Sequence, residues 1–303
     1  MKYILCFFML IIPVYALVIP HNKEKSRDVV YINDEIKEEK VVKLLDSNNI
    51  LTLSLEEYVL GVVACEMPAS YKLEALKAQA VASRTYALEK MNGNNAYDLE
   101  NSVNNQCYHD INILKEKWGN NFNKYYDKIN EAIIETSNQY ITYNGNIIKA
   151  FYFSTSNGYT ENVKDVYGSE LDYLVSVESS WDKSNKNFEK TVELEISEFL
   201  NKLNINDSEI KNIDIKERTS SNRIKTIVIN GKEFKGTAFR KLLGIRSTDA
   251  TIEIKNNKVY IITRGYGHGV GLSQYGANEM AKKGYTYDEI LKYYYKNVEI
   301  NNV

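Results

Sequence analysis

Glu66 is the residue whose type and surroundings point most directly to chemistry. It lies in the break between two predicted helices, and it is followed by Met67 and by Pro68, the only proline after residue 20. Apolar residues precede it at positions 62–64. Desolvation by such neighbours favours a protonated carboxyl near neutral pH, which is the state that a general acid needs. A solvated glutamate that only joins two helices is the alternative.

Arg84 is a second candidate, because it falls on the apolar stripe of the second predicted helix. Leu73, Leu76 and Ala80 recur there at helical spacing. A guanidinium that faces a core needs an anionic partner, since its desolvation is costly. Glu66 is one candidate partner, and pairing with another acid for structure alone is the alternative.

A glycine-rich segment near the C-terminus is a candidate binding surface. Glycine occurs there at every second position, at residues 265, 267, 269 and 271. His268 lies within the run, and Ser273 and Gln274 begin the predicted helix behind it. The spacing is that of neither a dinucleotide fingerprint nor a phosphate loop. A bare glycine edge lets a polar neutral ligand such as a sugar chain approach the backbone, whereas close packing around a buried His268 is the alternative.

Two further groups of polar residues are weaker candidates. The stretch FYFSTSNGYT gathers Ser154, Ser156 and Tyr159 at a predicted hairpin tip, which either binds a ligand or simply turns. Cys107 and His109 could supply two ligands to a zinc ion, while a disulfide between Cys65 and Cys107 or free thiols are the alternatives. No G-x-S-x-G motif supports a serine hydrolase.

The elements that must position these residues begin with two helices on either side of Glu66. They are predicted at about 55–65 and 71–92, the first with a capping box from Ser54 to Glu57 and the second capped by Ser70. Further helices are predicted at 124–137, 196–203, 273–283 and from Tyr287 onward, the last with a capping box from Thr286 to Glu289.

Asparagine and glycine pairs predict hairpin turns between the helical ends of the chain. They occur at 144–145, 157–158 and 230–231, with a weaker Asn-Asn turn at 256–257. The sequence therefore predicts an α+β fold in which helices at both ends of the domain pack with antiparallel β-meanders, with a substrate groove between them.

The composition indicates a globular protein with no nucleic-acid partner, because 44% of its 303 residues are hydrophobic and its net charge is −2. An apolar run from Tyr3 to Ile19 predicts a single-pass membrane anchor with the remaining chain outside the cytoplasm, and a cleaved signal peptide is the alternative. We expect an anchor over residues 1–20, a linker over 21–27 and one domain over 28–303.

Three segments together resemble the stage II sporulation protein D family, which includes amidase-enhancer proteins. They are EEYVLGVVACEMPASYKLEALKAQAVASRTYAL, FSTSNGYTENV and GYGHGVGLSQYGANEMAKKGYTYDEIL. The resemblance covers essentially residues 28–300 in the order and spacing of the family. It implies a membrane-anchored peptidoglycan lytic transglycosylase that acts during engulfment, after an amidase has removed the stem peptides.

The resemblance also implies roles for individual residues. Glu66 matches the family's catalytic glutamate, which protonates the glycosidic oxygen between N-acetylmuramic acid and N-acetylglucosamine. As carboxylate it then takes the proton of the muramic acid 6-hydroxyl, leaving a 1,6-anhydro end. One carboxyl suffices because the substrate supplies the nucleophile, whereas most glycosidases use two. The implied groove residues are Arg84, Tyr86, Ser154, Ser156, Tyr159, His268, Ser273 and Gln274.

The resemblance implies no cofactor for this chemistry, although some clostridial members bind zinc through a cysteine and a histidine in the region of Cys107. The implied partners are peptidoglycan glycan strands, a cell-wall amidase and the membrane scaffold of the engulfment machinery. The implied location is the mother-cell side of the intermembrane space. A noncatalytic glycan-binding activator of a cell-wall amidase is the alternative function.

Overall fold

The computed structural model describes residues 40–91, 95–102 and 104–302. Over these ranges helices and small sheets alternate along the chain, which confirms the predicted α+β class. The expected anchor at 1–20 and linker at 21–27 lie outside the described residues. Within those ranges, no helix combines the length and the apolar character that crossing a bilayer requires.

The α-helices of the described residues include a central one, α2, against which four others pack. In chain order they are α1 (Leu55–Glu66), α2 (Leu73–Lys90), α3 (Ile111–Trp118), α4 (Phe122–Glu135), α5 (Val163–Tyr167), α6 (Ile196–Lys202), α7 (Gly236–Leu243), α8 (Gln274–Lys282) and α9 (Tyr287–Tyr294). Helices α1, α4, α8 and α9 all contact α2. Most of α2 is therefore buried, and its many alanines let the neighbouring helices approach closely.

The strands form small sheets at the periphery of this helical layer. They are β1 (Val41–Asp46), β2 (Asn49–Ser54), β3 (Leu99–Glu100), β4 (Gln139–Tyr143), β5 (Asn146–Ile147), β6 (Tyr152–Phe153), β7 (Glu189–Glu195), β8 (Ile213–Arg218), β9 (Ile224–Ile229), β10 (Lys232–Lys235), β11 (Ala250–Lys255), β12 (Lys258–Arg264), β13 (Leu272–Ser273) and β14 (Glu299–Asn302). The sheet orders are β2-β1-β3, β14-β4-β5, β13-β6, β11-β12-β7 and β10-β9-β8. Pairing is antiparallel except for β1 with β3 and β6 with β13.

The described chain contains two hydrophobic cores within one compact unit, Glu39–Val303. The larger core surrounds α2 and takes residues from both ends of the chain. The smaller core lies between residues 194 and 261, in strands β7 to β12 with α6 and α7. We call residues 189–264 the insert, because they bury their own core between two parts of the larger one.

Most predicted helices occur where the sequence placed them. The capping box from Thr286 to Glu289 is present in α9, and Ser54 Oγ accepts a 3.3 Å hydrogen bond from the Glu57 N–H. The predicted cap at Ser70 is wrong. A turn closed by the 2.9 Å hydrogen bond from Tyr71 N to Pro68 O occupies this stretch, so α2 begins two residues later.

Three of the four predicted hairpins are confirmed, joining β4 to β5, β9 to β10 and β11 to β12. Their turn asparagines adopt the positive φ that such turns require. The hairpin predicted at Asn157-Gly158 is wrong. The preceding strand β6 pairs in parallel with β13, and the Asn157 side chain donates to Asp249 Oδ2 at 2.8 Å. Tertiary contacts therefore hold this loop open.

Candidate active site around Glu66

Glu66 is the last residue of α1, and its side chain is half-buried. The helix ends there because Met67 is extended and precedes a proline. The Cys107 N–H donates to Glu66 Oε1 at 2.8 Å. The side chains of Tyr152 and Gln274 also hydrogen-bond this carboxyl group. Since these three contacts come from separate segments, tertiary structure positions the carboxyl.

Burial raises the pKa of the Glu66 carboxyl, because desolvation outweighs the opposite effect of the hydrogen bonds from Cys107, Tyr152 and Gln274. No lysine or arginine in the described ranges is among the groups that shift this pKa. The protonated form therefore persists to higher pH than in an exposed glutamate. This is the state that can deliver a proton to a leaving group.

On one side of Glu66, uncharged side chains hold the Tyr152 hydroxyl in place. The Tyr58 hydroxyl donates to Gln106 Oε1 at 2.9 Å, and Gln106 Nε2 donates to the Tyr152 hydroxyl oxygen at 2.9 Å. Because Gln106 already donates to the Tyr152 oxygen, the phenol hydrogen remains available for the Glu66 carboxyl.

Polar residues of α2 complete the network on the other side. Gln274 Nε2 donates to Gln79 Oε1 at 3.2 Å, and Gln79 Nε2 donates to Ser83 Oγ at 2.9 Å. Ser83 in turn hydrogen-bonds Tyr152. The network therefore closes around Glu66 without any charged member apart from the acid itself.

Sequence reasoning identified Glu66 and Gln274 in this network and missed its other members, which are Tyr58, Gln79, Ser83, Gln106 and Tyr152. The available signal was the pair of polar residues one helical turn apart, Gln79 and Ser83, within an otherwise apolar helix. Such residues need buried partners, and a buried polar network is the usual source of them.

Arg84 does not contact Glu66, and the pairing predicted between them is wrong. Its fully buried guanidinium donates Nε and Nη2 to Glu56 at 2.7 and 2.5 Å and Nη1 to Gln139 O at 3.1 Å. The start of α1 faces the end of α2, so Arg84 meets Glu56 at the end of α1 opposite Glu66. Arg84 therefore pairs with another acid, which was the alternative that the sequence left open.

The glycine run forms a loop. Positive φ angles of 77° to 115° occur at Gly265, Gly267, Gly269 and Gly271. A Cβ at Gly271 would lie 2.0 Å from Phe151 O, and one at Gly267 would lie 2.7 Å from Phe153 Cβ. The run therefore packs tightly against residues 151–156. This agrees with the alternative of close packing and not with a bare edge open to a ligand.

His268 is held between two backbone groups. Its Nδ1 accepts a 3.1 Å hydrogen bond from the Val270 N–H, and the ring also hydrogen-bonds the backbone of Tyr152. Burial, reinforced by the nearby charge of Arg240, lowers the pKa of His268 to about 4. The imidazole is therefore neutral at physiological pH, and it fixes the residue whose phenol contacts Glu66.

Ser156 and Ser273, two other predicted groove residues, are fully buried around Asp182. The Ser156 N–H and the Ser273 hydroxyl donate to Asp182 Oδ1 at 2.9 and 2.6 Å. Burial raises the pKa of Asp182 to about 6 despite these bonds. In this arrangement both serines support the scaffold that carries α8 and Gln274.

The remaining predicted groove residues differ in exposure. Tyr86 is largely buried and lies 6.3 Å from Phe151, measured between ring centroids. Ser154 is half-buried, whereas Tyr159 is exposed. The structure does not bring these three side chains into contact with Glu66 through any described hydrogen bond.

Cys65 and Cys107 form a disulfide, one of the alternatives that the sequence left open. Their Sγ atoms and a ring nitrogen of His109 lie within 4.8 Å of one another. His109 Nδ1 is buried and has no hydrogen-bond partner in the described chain. These donor types fit a zinc ion when the cysteines are reduced, because zinc binds thiolates and a neutral imidazole. In the disulfide form the thiolates are consumed.

Comparisons with known proteins identify the family of this chain. A family model described as Stage II sporulation protein matches residues 46–143. The chain is 38% identical to the Stage II sporulation protein D of Bacillus subtilis, over 98% of this chain and 94% of the relative. It is 37% identical to the corresponding protein of Bacillus amyloliquefaciens and 29% identical to the Amidase enhancer of Bacillus subtilis, the latter over 80% of this chain and 40% of that protein. The chain therefore belongs to the stage II sporulation protein D family.

Proposed function

We propose that this protein is a peptidoglycan lytic transglycosylase that cleaves the bond from N-acetylmuramic acid to N-acetylglucosamine in peptide-stripped strands. The main support for the proposal is the environment of the Glu66 carboxyl group. Its carboxyl is half-buried, has a raised pKa and is held by three uncharged donors from separate segments. The Bacillus relatives named for sporulation support action during engulfment.

The proposed reaction uses one carboxyl group for both proton transfers. Protonated Glu66 gives its proton to the glycosidic oxygen as the bond from that oxygen to C1 of the muramic acid breaks. The muramic acid 6-hydroxyl oxygen bonds to C1, and its proton returns to the Glu66 carboxylate. The products are a 1,6-anhydro end and a free N-acetylglucosamine 4-hydroxyl, and the acid is regenerated.

The surroundings of Glu66 suit this cycle. Desolvation favours the acid form for the first step, whereas the donors at Cys107, Tyr152 and Gln274 stabilise the carboxylate that exists between the two transfers. No second carboxylate in the described ranges is among the groups acting on Glu66. The proposed single-acid mechanism needs no second carboxylate, because the muramic acid 6-hydroxyl is the nucleophile.

The cluster of Cys65, Cys107 and His109 would hold zinc in the reduced protein. Its role there would be structural, because the metal would replace the disulfide as the link between α1 and the loop containing Cys107. We also propose attachment to the membrane by the N-terminal segment, and cooperation with an amidase that strips the strands first.

The second candidate is a noncatalytic glycan-binding activator of a cell-wall amidase. It is favoured by the similarity to the Amidase enhancer of Bacillus subtilis. Replacing Glu66 with glutamine distinguishes the two functions. A binding protein tolerates this isosteric change, whereas a transglycosylase does not.

The test incubates full-length wild-type protein and the Glu66→Gln variant, purified in detergent, with peptide-stripped glycan strands. We expect anhydromuramyl ends by mass spectrometry from the wild type and a loss of rate of about 10²–10⁴-fold in the variant. Glu57→Gln is the matched control, since Glu57 is an exposed residue of the same helix. Binding of strands without products from any of the proteins would support the activator instead.

A further inference from the structure

Arg240 in α7 and Arg246 in the loop after it differ from the other arginines in the described ranges. The others pair with carboxylates or donate to more than one backbone carbonyl, namely Arg84, Arg218, Arg223 and Arg264. Arg240 donates only its Nε, to Arg246 O at 3.1 Å. The Arg246 guanidinium lies 5.2 Å from the ring centroid of Tyr266. Within the described chain, neither Arg240 nor Arg246 has a carboxylate partner.

Arg240 is half-buried, so the missing counter-ion has an energetic consequence. The titratable groups that face it are the phenols of Tyr167 and Tyr266 and the imidazole of His268, and none of them is a carboxylate. The neighbouring Arg223 is itself a cation, paired with Glu161 at 3.7 Å. A partly desolvated guanidinium without an anion is unfavourable, and a bound anion would relieve this cost.

Three aromatic rings, of which two are exposed, lie near the two arginines or next to residues of the candidate active site. We call Phe151, Tyr167 and Tyr266 the aromatic strip. Phe151 precedes Tyr152, whose hydroxyl contacts Glu66, and its ring lies 4.9 Å from that of Tyr167 in a stacked geometry. Tyr167 and Tyr266 are 49% and 47% exposed, and Arg240 faces both. The strip therefore faces the arginines, and Phe151 adjoins in the chain the tyrosine that contacts the acid.

The chemistry of this surface suits an anionic sugar. Aromatic rings offer an apolar face, and the planar guanidinium of arginine binds a carboxylate through two parallel hydrogen bonds. N-acetylmuramic acid carries a lactyl group whose carboxyl forms an amide with the stem peptide. Removing the peptide leaves a free carboxylate on that sugar, whereas an intact strand has no charge at this position.

We propose that Arg240 and Arg246 bind the lactyl carboxylate of peptide-stripped N-acetylmuramic acid, so that the insert selects stripped strands. This inference rests on the proposed function, because it assumes that glycan strands occupy the aromatic strip. Arg240, in the second turn of α7, donates to the backbone carbonyl of Arg246, in the loop after that helix, and the same carbonyl accepts the Gly267 N–H at 3.0 Å. Both arginines are thereby tied to the glycine run, which packs against residues 151–156.

The test measures strand binding in the full-length Glu66→Gln background, where we expect turnover to be slowed about 10²–10⁴-fold. One ligand is a labelled peptide-stripped strand, and the other is the same strand with its lactyl carboxyls converted to methylamides. We expect Arg240→Gln with Arg246→Gln to weaken binding of the carboxylate strand about tenfold. The methylamide strand should bind with equal affinity to the protein with and without these substitutions.

Lys241→Gln is the matched control, because it removes a positive charge from an exposed residue of the same helix. Its affinity for the carboxylate strand should remain within about twofold of the parent protein. Equal losses on both ligands, or no loss on either, would overturn the inference. Should Arg240→Gln lower the melting temperature, Arg246→Gln alone makes the same comparison.

The strand-binding experiment and the assay for anhydromuramyl ends test the two proposals separately. Absence of anhydromuramyl ends from the wild type would refute the transglycosylase, and a retained preference for the carboxylate strand would still support the arginine site. Normal production of anhydromuramyl ends without that preference would refute only the arginine site.

Discussion

Cys107 is connected to Glu66 by a direct hydrogen bond and, through Cys65, by a covalent path. Its backbone N–H lies 2.8 Å from Glu66 Oε1, and its sulfur is bonded to that of Cys65, the neighbour of the acid. Both connections fix the end of α1 to a loop that is 41 residues away from Glu66 in sequence. The orientation of the acid therefore depends on a tertiary link that can be tested chemically.

Replacing Tyr152 with phenylalanine should move the pH dependence of catalysis. The Tyr152 hydroxyl donates to the Glu66 carboxylate and thereby lowers the pKa of Glu66. Removing the Tyr152 hydroxyl therefore raises the pKa of Glu66 further. Since the reaction starts from protonated Glu66, activity falls as pH rises through its pKa, and this falling limb should shift to higher pH. Profiles of kcat/KM against pH measure the shift.

Tyr285→Phe is the control for that substitution, because Tyr285 is exposed and lies outside the network around Glu66. An unmoved limb in Tyr152→Phe, with an unmoved limb in the control, would mean that Glu66 is not the group that titrates.

Reducing the disulfide should destabilise the protein. Cys65 and Cys107 are 42 residues apart, and closing a loop of this length stabilises a fold by about 4 kcal/mol in the chain-entropy model. Urea unfolding of the oxidised protein and of the Cys65→Ser, Cys107→Ser variant measures the difference. Cys6→Ser serves as the control, and equal midpoints for all three proteins would contradict the prediction.

The reduced protein should bind one zinc ion, and the oxidised protein should bind none. Only the reduced form offers two thiolates beside the ring nitrogen of His109. His109→Ala should lower zinc affinity, because its Nδ1 is a buried atom that lacks a partner among the described residues. Native mass spectrometry of metal-free protein with added zinc measures both effects. Zinc bound by the oxidised form would refute this assignment.

Breaking the ion pair between Arg84 and Glu56 should cost stability while leaving the groups around Glu66 in place. Glu56→Gln leaves a fully buried guanidinium without its anion, and we expect a loss of about 3 kcal/mol in the free energy of unfolding. The double variant Arg84→Met, Glu56→Leu should recover much of it. A double variant as unstable as the single one would show that packing, not charge, dominates.

Asp182 should make stability depend on pH. Its folded pKa of about 6 lies above the unfolded value of 3.8, so the folded state binds the proton more tightly. The stabilisation is fully present below pH 3.8 and is lost as the pH rises through about 6. Relative to Asp182→Asn, wild-type stability should therefore fall by at most about 3 kcal/mol across this window. Denaturation at pH 4 to 8 measures the difference, and a pH-independent difference would contradict it.

The elements that sequence predicted well depend on local chemistry. The capping box at Thr286 and the Asn-Gly turns succeed because a few adjacent residues fix the backbone by themselves. The turn at Asn157-Gly158 fails for the opposite reason. The backbone N–H of Ser156, just before the turn, donates to Asp182, and the Asn157 side chain donates to Asp249, and both acids are distant in sequence.

The sequence alone determined the α+β class, the family and Glu66 as the candidate acid, because motifs and periodicity record local constraints. Only the tertiary structure decided which groups surround that acid. In that structure Arg84 pairs with Glu56, and Ser156 and Ser273 are buried around Asp182. The Tyr152 hydroxyl contacts the Glu66 carboxyl and accepts a hydrogen bond from Gln106. These contacts join residues far apart in the chain, and hydrogen-bond partners at such separations depend on how the helices pack and not on the composition of any one segment.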